Sequence, residues 1–263
     1  MPETDLDLLT EAARASGDIA KGFFGQQPQV WDKADNAGPV TAADLAVNDM
    51  LTVALQRARP GYGWLSEETE DHSARLDADT LFIVDPIDGT RAFIAGSKDW
   101  AHSLAVVQNG EVTAGVVYLP MRDLMFSATR DGGAFLNGAR LAVRDNATLS
   151  EAKVLSSKVN FEGRFWRNGR CPDFARHFRS SLAYRLSLVA QARFDAMITL
   201  RPTWEWDIAA GALIVAEAGG TVTDHSGAGL KFNNALPQVA GVVAGGPVHA
   251  DLVAGIAPFA PSA

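Results

Sequence analysis

The 263-residue chain holds one cysteine, Cys171, and five histidines. A single thiol cannot form an internal disulfide, and no Cys/His cluster of zinc-binding spacing accompanies it. Basic residues are scarce and scattered: 23 Lys and Arg against 31 Asp and Glu leave a formal charge of −8. Such a chain lacks the basic footprint that a phosphate backbone requires, which argues against long nucleic acid as a partner. No run approaches the ~18 uninterrupted apolar residues of a spanning helix, so integral membrane insertion is not expected. The opening segment is acidic and interrupted by polar residues, unlike a secretory leader, and a cytoplasmic chain is expected. Internal repeats, low-complexity runs and Pro/Ser-rich linkers are also missing. The expected organisation is one domain over 1–263, an N-terminal α+β half (1–150) joined closely to a C-terminal α/β half (151–263).

What is present is ordinary in amount and unusual in placement. Hydrophobic residues make up 47% of the chain, enough for a folded core. Between Glu67 and Asp88 stand eight acids (Glu67, Glu68, Glu70, Asp71, Asp77, Asp79, Asp85 and Asp88) and one base, Arg75. That stretch carries −7, so the rest of the chain is nearly neutral. It is either a solvated acidic surface or a holder of cations.

The apolar spacing of Leu6, Leu9, Ala13, Ile19 and Phe23 predicts an amphipathic helix over 6–24, stopped by Gly25. Thr41-Ala-Ala-Asp44 is a capping-box variant that opens a second helix, running to Pro60. Thr80–Val84 reads as a buried strand ending in an Asp85-Pro-Ile-Asp88-Gly-Thr90 turn. Residues 101–108, 112–119, 124–129 and 133–136 form an antiparallel meander, its first turn marked by Asn109-Gly110. The second half offers a strand at Val154, a helix over Ser187–Phe194 and a strand over 196–200. A clear helix then runs from Trp206 to Gly220, with Asp207 at its start and Gly219 at its C-terminal cap. Strands and helices in mixed order indicate an α+β or layered α/β fold.

Asp85 and Asp88, separated by a proline turn at a strand end, can point into one space with the Ile87 carbonyl between them. Hard cations such as Mg²⁺ take oxygen ligands of this kind and keep waters that a phosphate can replace. Gly89 admits close backbone approach, and the Gly89 and Thr90 amides can face a phosphate oxygen. The same string is also an ordinary turn, since Pro, Asp and Gly dominate turns. Glu67, after the short strand Gly63-Trp-Leu, can deliver a carboxylate to the same edge. Glu70, Asp71, Asp77 and Asp79 read as a solvated loop, and Glu68 stays open. Asp207 and Asp44 have plain roles as helix-terminal carboxylates, although the apolar flanks of Asp207 exceed what a cap needs. The argument is their conjunction.

Glu-Glu after a strand, Asp-Pro-Ile-Asp-Gly-Thr, and Trp-Asp-x-Ala-Ala-Gly…Glu-Ala-Gly-Gly occur here in the order and spacing of the inositol monophosphatase superfamily, which this chain resembles. Val40-Thr-Ala-Ala-Asp44 and Gly132-Gly-Ala-Phe-Leu-Asn-Gly138 extend the resemblance over about residues 38–232. It implies a layered α-β-α-β-α sandwich, a homodimer, and lithium-sensitive, Mg²⁺-dependent phosphatase chemistry with two or three ions. Glu67, Asp85, the Ile87 carbonyl, Asp88 and Asp207 would be the ligands, most of them in the first half. Thr90, hydrogen-bonded to Asp44, would position and help deprotonate the attacking water, with Glu67 beside it, and no phosphoenzyme would form. Cys171 and the histidines would be bystanders, with His102 left open by its closeness to the Asp-Gly-Thr turn.

Two departures stand out. Ser66 replaces a glycine the family often has before the Glu-Glu pair, and Leu200 replaces an acidic residue that inositol monophosphatases use on the sugar-like ring. Trp204-Glu205-Trp206-Asp207 looks more like the 3′(2′),5′-bisphosphate nucleotidase branch, so a small phosphorylated substrate such as adenosine 3′,5′-bisphosphate is expected. Trp204 would then offer an aromatic wall, and Arg91, Arg185 and Arg201 are candidate cations for a second phosphate; core packing and plain surface charge are the simpler roles for these residues. Asp88-Gly-Thr-Arg-Ala-Phe93 keeps histidinol-phosphate phosphatase in contention. Inositol-1-monophosphatase, fructose-1,6-bisphosphatase and a non-catalytic metal- or nucleotide-binding relative are further alternatives.

Overall fold

The structure is a computed structural model that describes residues 3–26, 28–33, 38–145 and 148–258. The first half contains α1 (Asp5–Phe23), β1 (Val30–Asp32), β2 (Pro39–Thr41), α2 (Ala42–Ala58), β3 (Gly63–Ser66), β4 (Thr80–Asp88) and α3 (Thr90–Ile94). The meander follows as β5 (Ala101–Gln108), β6 (Glu111–Leu119), β7 (Leu124–Thr129), β8 (Gly133–Leu136) and β9 (Ala139–Arg140). Beyond it lie β10 (Lys153–Leu155), β11 (Ala175–His177), α4 (Leu182–Ala190), β12 (Ala196–Thr199), β13 (Thr203–Trp204) and α5 (Ala209–Glu217). The chain closes with β14 (Thr221–Thr223), β15 (Gln238–Val239), β16 (Val242–Gly245) and α6 (Val248–Gly255).

Seven strands, β3 to β9 in sequence order, form the large sheet, with β3 parallel to β4 and every later pair antiparallel. Alternation decides which face each side chain takes. Phe82, Val84, Leu104, Val106 and Val116 point to one side and pack with Leu9 and Ala13 of α1 and Val47 and Leu51 of α2. Leu81, Ile83, Ala105, Val107 and Val117 point to the other, against α4 and α5. Those two helices also meet a second sheet, ordered β11-β10-β12-β16-β14, through Leu155, Met197 and Ala244. Its far side carries Val154, Ile198 and Val243 against Val248 and Leu252 of α6. The layers are therefore α1/α2, large sheet, α4/α5, small sheet and α6, the α-β-α-β-α sandwich expected.

Close packing in the middle layer needs glycine at Gly211, where a Cβ would sit 2.6 Å from Leu186 Cδ1. The sequence reading misplaces three elements. The strand after Thr80 continues through Asp88, because a β-bulge absorbs Pro86 and Ile87: Asp85 pairs with Ser103 and Asp88 with Ala101. The helix expected over 187–194 runs Leu182–Ala190, since Ser181 caps its start through Tyr184 N and Ala192 ends it at φ +58°. Asp207 is no helix cap, because α5 begins two residues later and Ile208 occupies the cap position without a side-chain bond. No helix among the described residues is long and apolar enough to cross a membrane.

Candidate active site

The parallel pairing of β3 with β4 sets Ser66 beside Val84, and Glu67 N donates to Val84 O at 3.2 Å, which brings Glu67 alongside Asp85. On the other side of Asp85, Ser103 Oγ reaches across to Trp206 O at 3.0 Å and anchors the turn that carries Asp207. Carboxylate oxygens of Glu67, Asp85 and Asp207 consequently lie within 4.8 Å of one another. Asp85 is buried and neither of its oxygens has a hydrogen-bond partner. A buried carboxylate without donors is costly unless a cation faces it. Hard oxygen donors converging in this way fit Mg²⁺.

Asp88, at the far side of the bulge, is held differently. Its Oδ2 accepts from Ser181 Oγ at 2.6 Å and from Ala183 N at 2.7 Å, so it docks on the N-terminus of α4. The Ile87 carbonyl accepts from Thr90 Oγ1 at 3.2 Å, and the same hydroxyl is 3.1 Å from Asp44 Oδ1. Asp44 is fixed in turn by the capping box, its Oδ2 accepting from Thr41 N and Thr41 Oγ1. Gly89 supplies the left-handed backbone, φ +101°, that turns β4 into α3. Glu67, Asp85, Asp88, Gly89, Thr90, Arg91 and Asp207 all line one cavity of about 270 Å³.

Electrostatics follow from this crowding. Burial raises Asp85 and Asp207 well above the ordinary carboxylate range, and the neighbouring acids add to it. Burial also lifts Asp88 to about 6 against the opposing help of Ser181, the α4 amides and Arg185. Asp44 is raised too, chiefly by burial. Lys33, which the sequence reading missed, puts Nζ 2.7 Å from both Glu67 Oε1 and Glu68 Oε1. Burial pulls its pKa down, but the two glutamates outweigh that and leave it raised. Glu68 is lifted to about 7 by burial and by Glu67. Its partner is thus Lys33, while Glu70, Asp71, Asp77 and Asp79 are exposed as expected.

Two further residues escaped the sequence reading. Ser181 was not singled out, since a serine two residues after Arg179 carries no local signal. Asn48 lies one helical turn after Asp44, and its Oδ1 accepts from Ser66 Oγ at 2.7 Å while its amide reaches Thr69. That bond gives the unexpected Ser66 a role, and Ser66 has no positive φ that would call for glycine. Spacing of four from Asp44 was the available signal.

Other candidates are not brought to the cavity wall. Arg185 is buried, donates to Arg179 O at 2.5 Å and lies 4.7 Å over the Phe178 ring. Burial lowers its pKa to about 10, although Asp88 and Asp207 pull the other way. Trp204 stacks on Trp206 at 4.7 Å, and Leu200 is fully buried in the core under α6. Arg201 is exposed. His102 is buried with Nδ1 on the Pro86 carbonyl, pinning the bulge, and burial lowers it to about 4. Cys171 is buried in the α6 core, where desolvation raises its thiol.

A cleft of converging hard carboxylates, with a Thr–Asp pair at its edge, belongs to a class of metal-dependent phosphoester-cleaving sites. A model of the inositol monophosphatase family matches residues 1–261. The chain is 36% identical over 225 residues to the fructose-1,6-bisphosphatase/inositol-1-monophosphatase of Thermotoga maritima, covering 84% of this chain and 85% of that one. It is 34% identical over 236 residues to Nus factor SuhB of Escherichia coli, with 84% and 85% covered. Among solved structures, T. maritima IMPase aligns with a TM-score of 0.79 at 33% identity over 95% of each chain. The extragenic suppressor protein suhB of Bartonella henselae aligns at 0.80 and 31%, over 94% and 96%. The chain belongs to the inositol monophosphatase family, a metal-dependent family of phosphoric monoester hydrolases.

Proposed function

We propose that the chain hydrolyses a small phosphate monoester by direct in-line attack of water at the Glu67–Asp85–Asp207 edge, with two or three Mg²⁺ ions as cofactor. The observation that carries this is the orphaned, buried Asp85 between two further carboxylates. Glu67, Asp85, the Ile87 carbonyl, Asp88 and Asp207 would hold the ions. When bound there, Mg²⁺ supplies charge neutralisation on the phosphoryl oxygens and a lowered pKa for water. Thr90 Oγ1, fixed between Asp44 and Ile87 O, accepts from the attacking water while it donates to Asp44. Asp44, its basicity raised by burial, is the sink for that proton. Glu67 borders the same water from the opposite side. The Gly89 and Thr90 amides and Arg91 receive the phosphate. EDTA-stripped protein should lose turnover, Mg²⁺ should restore it, and Li⁺ or Ca²⁺ should suppress it; full activity after stripping would refute the mechanism.

For the substrate we carry forward 3′(2′),5′-bisphosphate nucleotide, supported by Leu200: an apolar side chain sealed in the core offers no acceptor to a polyol ring. The names of the relatives speak for inositol 1-phosphate and fructose 1,6-bisphosphate as the competing substrates. Comparing kcat/KM for these three and histidinol phosphate in one assay decides between them. A nucleotide value no better than the rest would end that reading. The clustered acid set opposes the non-catalytic alternative. The homodimer belongs to the proposal as well, with sedimentation velocity as its test.

A further inference from the structure

His102 is fully buried beside the site, and neither the ligand set nor the proton path uses it. Its place in the ladder is particular. Asp85 pairs with Ser103 and Asp88 with Ala101, so two residues of β4, Pro86 and Ile87, stand against the single residue His102 of β5. A bulge of this kind leaves backbone groups without ladder partners. Proline has no N–H to give, and the Pro86 carbonyl takes its bond from Nδ1 of the His102 ring. Burial, which lowers the pKa of that ring to about 4, keeps it neutral. A carbonyl oxygen only accepts, so Nδ1 carries the proton and Nε2 is a bare acceptor, with no partner among the described residues.

Neighbouring rings hold the imidazole at that angle. Trp100 meets it edge to face with 5.5 Å between centroids, and Tyr118, opposite it on β6, lies 6.4 Å away. Trp100 is gripped in turn by Phe93 of α3 at 5.0 Å. Alternation along β5 gives the next residue the opposite face, where Ser103 Oγ donates to Trp206 O at 3.0 Å. Two consecutive residues of β5 therefore brace two approaches to the cavity: the bulge that carries Asp85, the Ile87 carbonyl and Asp88, and the turn that carries Asp207. Peptide units in a bulge turn more freely than units held in the ladder. A donor on the Pro86 carbonyl fixes the Pro86–Ile87 peptide, and with it the course of the chain into the Ile87 carbonyl that Thr90 Oγ1 meets at 3.2 Å.

We propose that His102 is a positioning residue of the cation site: its Nδ1–H, aimed by Trp100 and Tyr118, locks the Pro86–Ile87 bulge and so sets the spacing at which Asp85, the Ile87 carbonyl and Asp88 meet the ions. This rests on the metal reading of the cavity. A histidine that only filled the core would affect stability when replaced; this one also affects ion binding.

Isothermal titration of Mg²⁺ into EDTA-stripped wild type, His102→Leu and His102→Asn tests it, with melting curves to confine the comparison to folded protein. Leucine fills the space without a donor, and asparagine returns an amide N–H to the place of Nδ1. His102→Leu should weaken Mg²⁺ binding about 10–100-fold, and His102→Asn should recover it to within about threefold of wild type. Glu205→Ala, destabilised away from the ligands, should bind as wild type does and so removes general loss of stability as the cause. Proton–nitrogen NMR of the imidazole rings in wild type should show the His102 proton on Nδ1. A proton on Nε2 overturns the proposal whatever the variants do. Binding to His102→Leu equal to wild type, or a loss that His102→Asn does not recover, overturns it while the metal reading stands. Absence of saturable Mg²⁺ binding in wild type overturns both.

Discussion

Glu205 and Asp207 stand two residues apart, the second half-buried at the cavity, and the protein treats them in opposite ways. Glu205 is fully buried, yet Asn233 N, Asn234 N and Asn234 Nδ2 all donate to it at 2.7–2.9 Å. Nearby Arg75, also buried, grips Asp71 with two nitrogens and fastens the same Asn233–Asn234 loop. Asp207 faces Asp85 and Glu67, with Asp85 wholly without donors. A carboxylate whose lone pairs are filled by the chain is structural; one left to repel its neighbours is kept for something the chain does not supply. The difference teaches that burial alone does not mark a site, and that the donor inventory does.

The sharpest way to break this comparison is to neutralise one acid on each side. Asp85→Asn should lower kcat by roughly 10²–10³-fold, as loss of a central electrostatic element does. Because the substitution also removes like-charge repulsion, the metal-free variant should melt no lower than wild type. Glu205→Ala should do the reverse, costing about 1–3 kcal/mol of stability by orphaning three half-buried donors while the folded fraction stays active. Chemical denaturation and steady-state kinetics on both variants read the contrast. Glu205→Ala with wild-type stability would erase it.

The third prediction concerns pH. Burial holds His102 at about 4 against its ordinary 6.5, so between those values the unfolded chain takes up a proton that the folded one refuses. Its contribution is complete above pH 6.5 and is lost as pH falls toward 4, by up to about 3 kcal/mol. The site carboxylates act with the opposite sign. Asp88, raised to about 6, favours the metal-free fold at low pH and loses that advantage as pH rises through 6. The difference between wild type and His102→Gln isolates the imidazole and should flatten with the variant; parallel curves would count against it. The smallest effect is expected at Lys33, whose ammonium sits on Glu67 and Glu68. Lys33→Met should tighten Mg²⁺ binding a few-fold, and weaker binding would show the lysine helps to hold the ion.

Much of this was legible in the chain because local rules agreed with the fold. The capping box at Thr41 placed Asp44, and the meander and its Asn109-Gly110 turn came from alternation and turn chemistry, both residues taking positive φ. In the acidic tract, Glu70, Asp71, Asp77 and Asp79 are exposed as their spacing suggests, while Glu67 and Asp85 gather with Asp207. What was not legible depended on contacts between distant segments. Proline in Asp85-Pro-Ile-Asp88 argues for a turn, but a bulge against β5 lets the strand run on. Lys33 is 34 residues from Glu67 in sequence and meets it only through the β1–β2 ribbon. Ser181 meets Asp88 only because α4 starts five residues before its apolar spacing suggests. Trp204, read as a pocket wall, is spent on stacking with Trp206.

The central claim is that the chain leaves Asp85 unsatisfied so that a divalent cation can satisfy it. Isothermal titration of Mg²⁺ into EDTA-stripped wild type, Asp85→Asn and Glu205→Gln tests it without recourse to turnover. The account predicts saturable binding in wild type and Glu205→Gln, and its loss in Asp85→Asn. Binding to Asp85→Asn indistinguishable from wild type would contradict it.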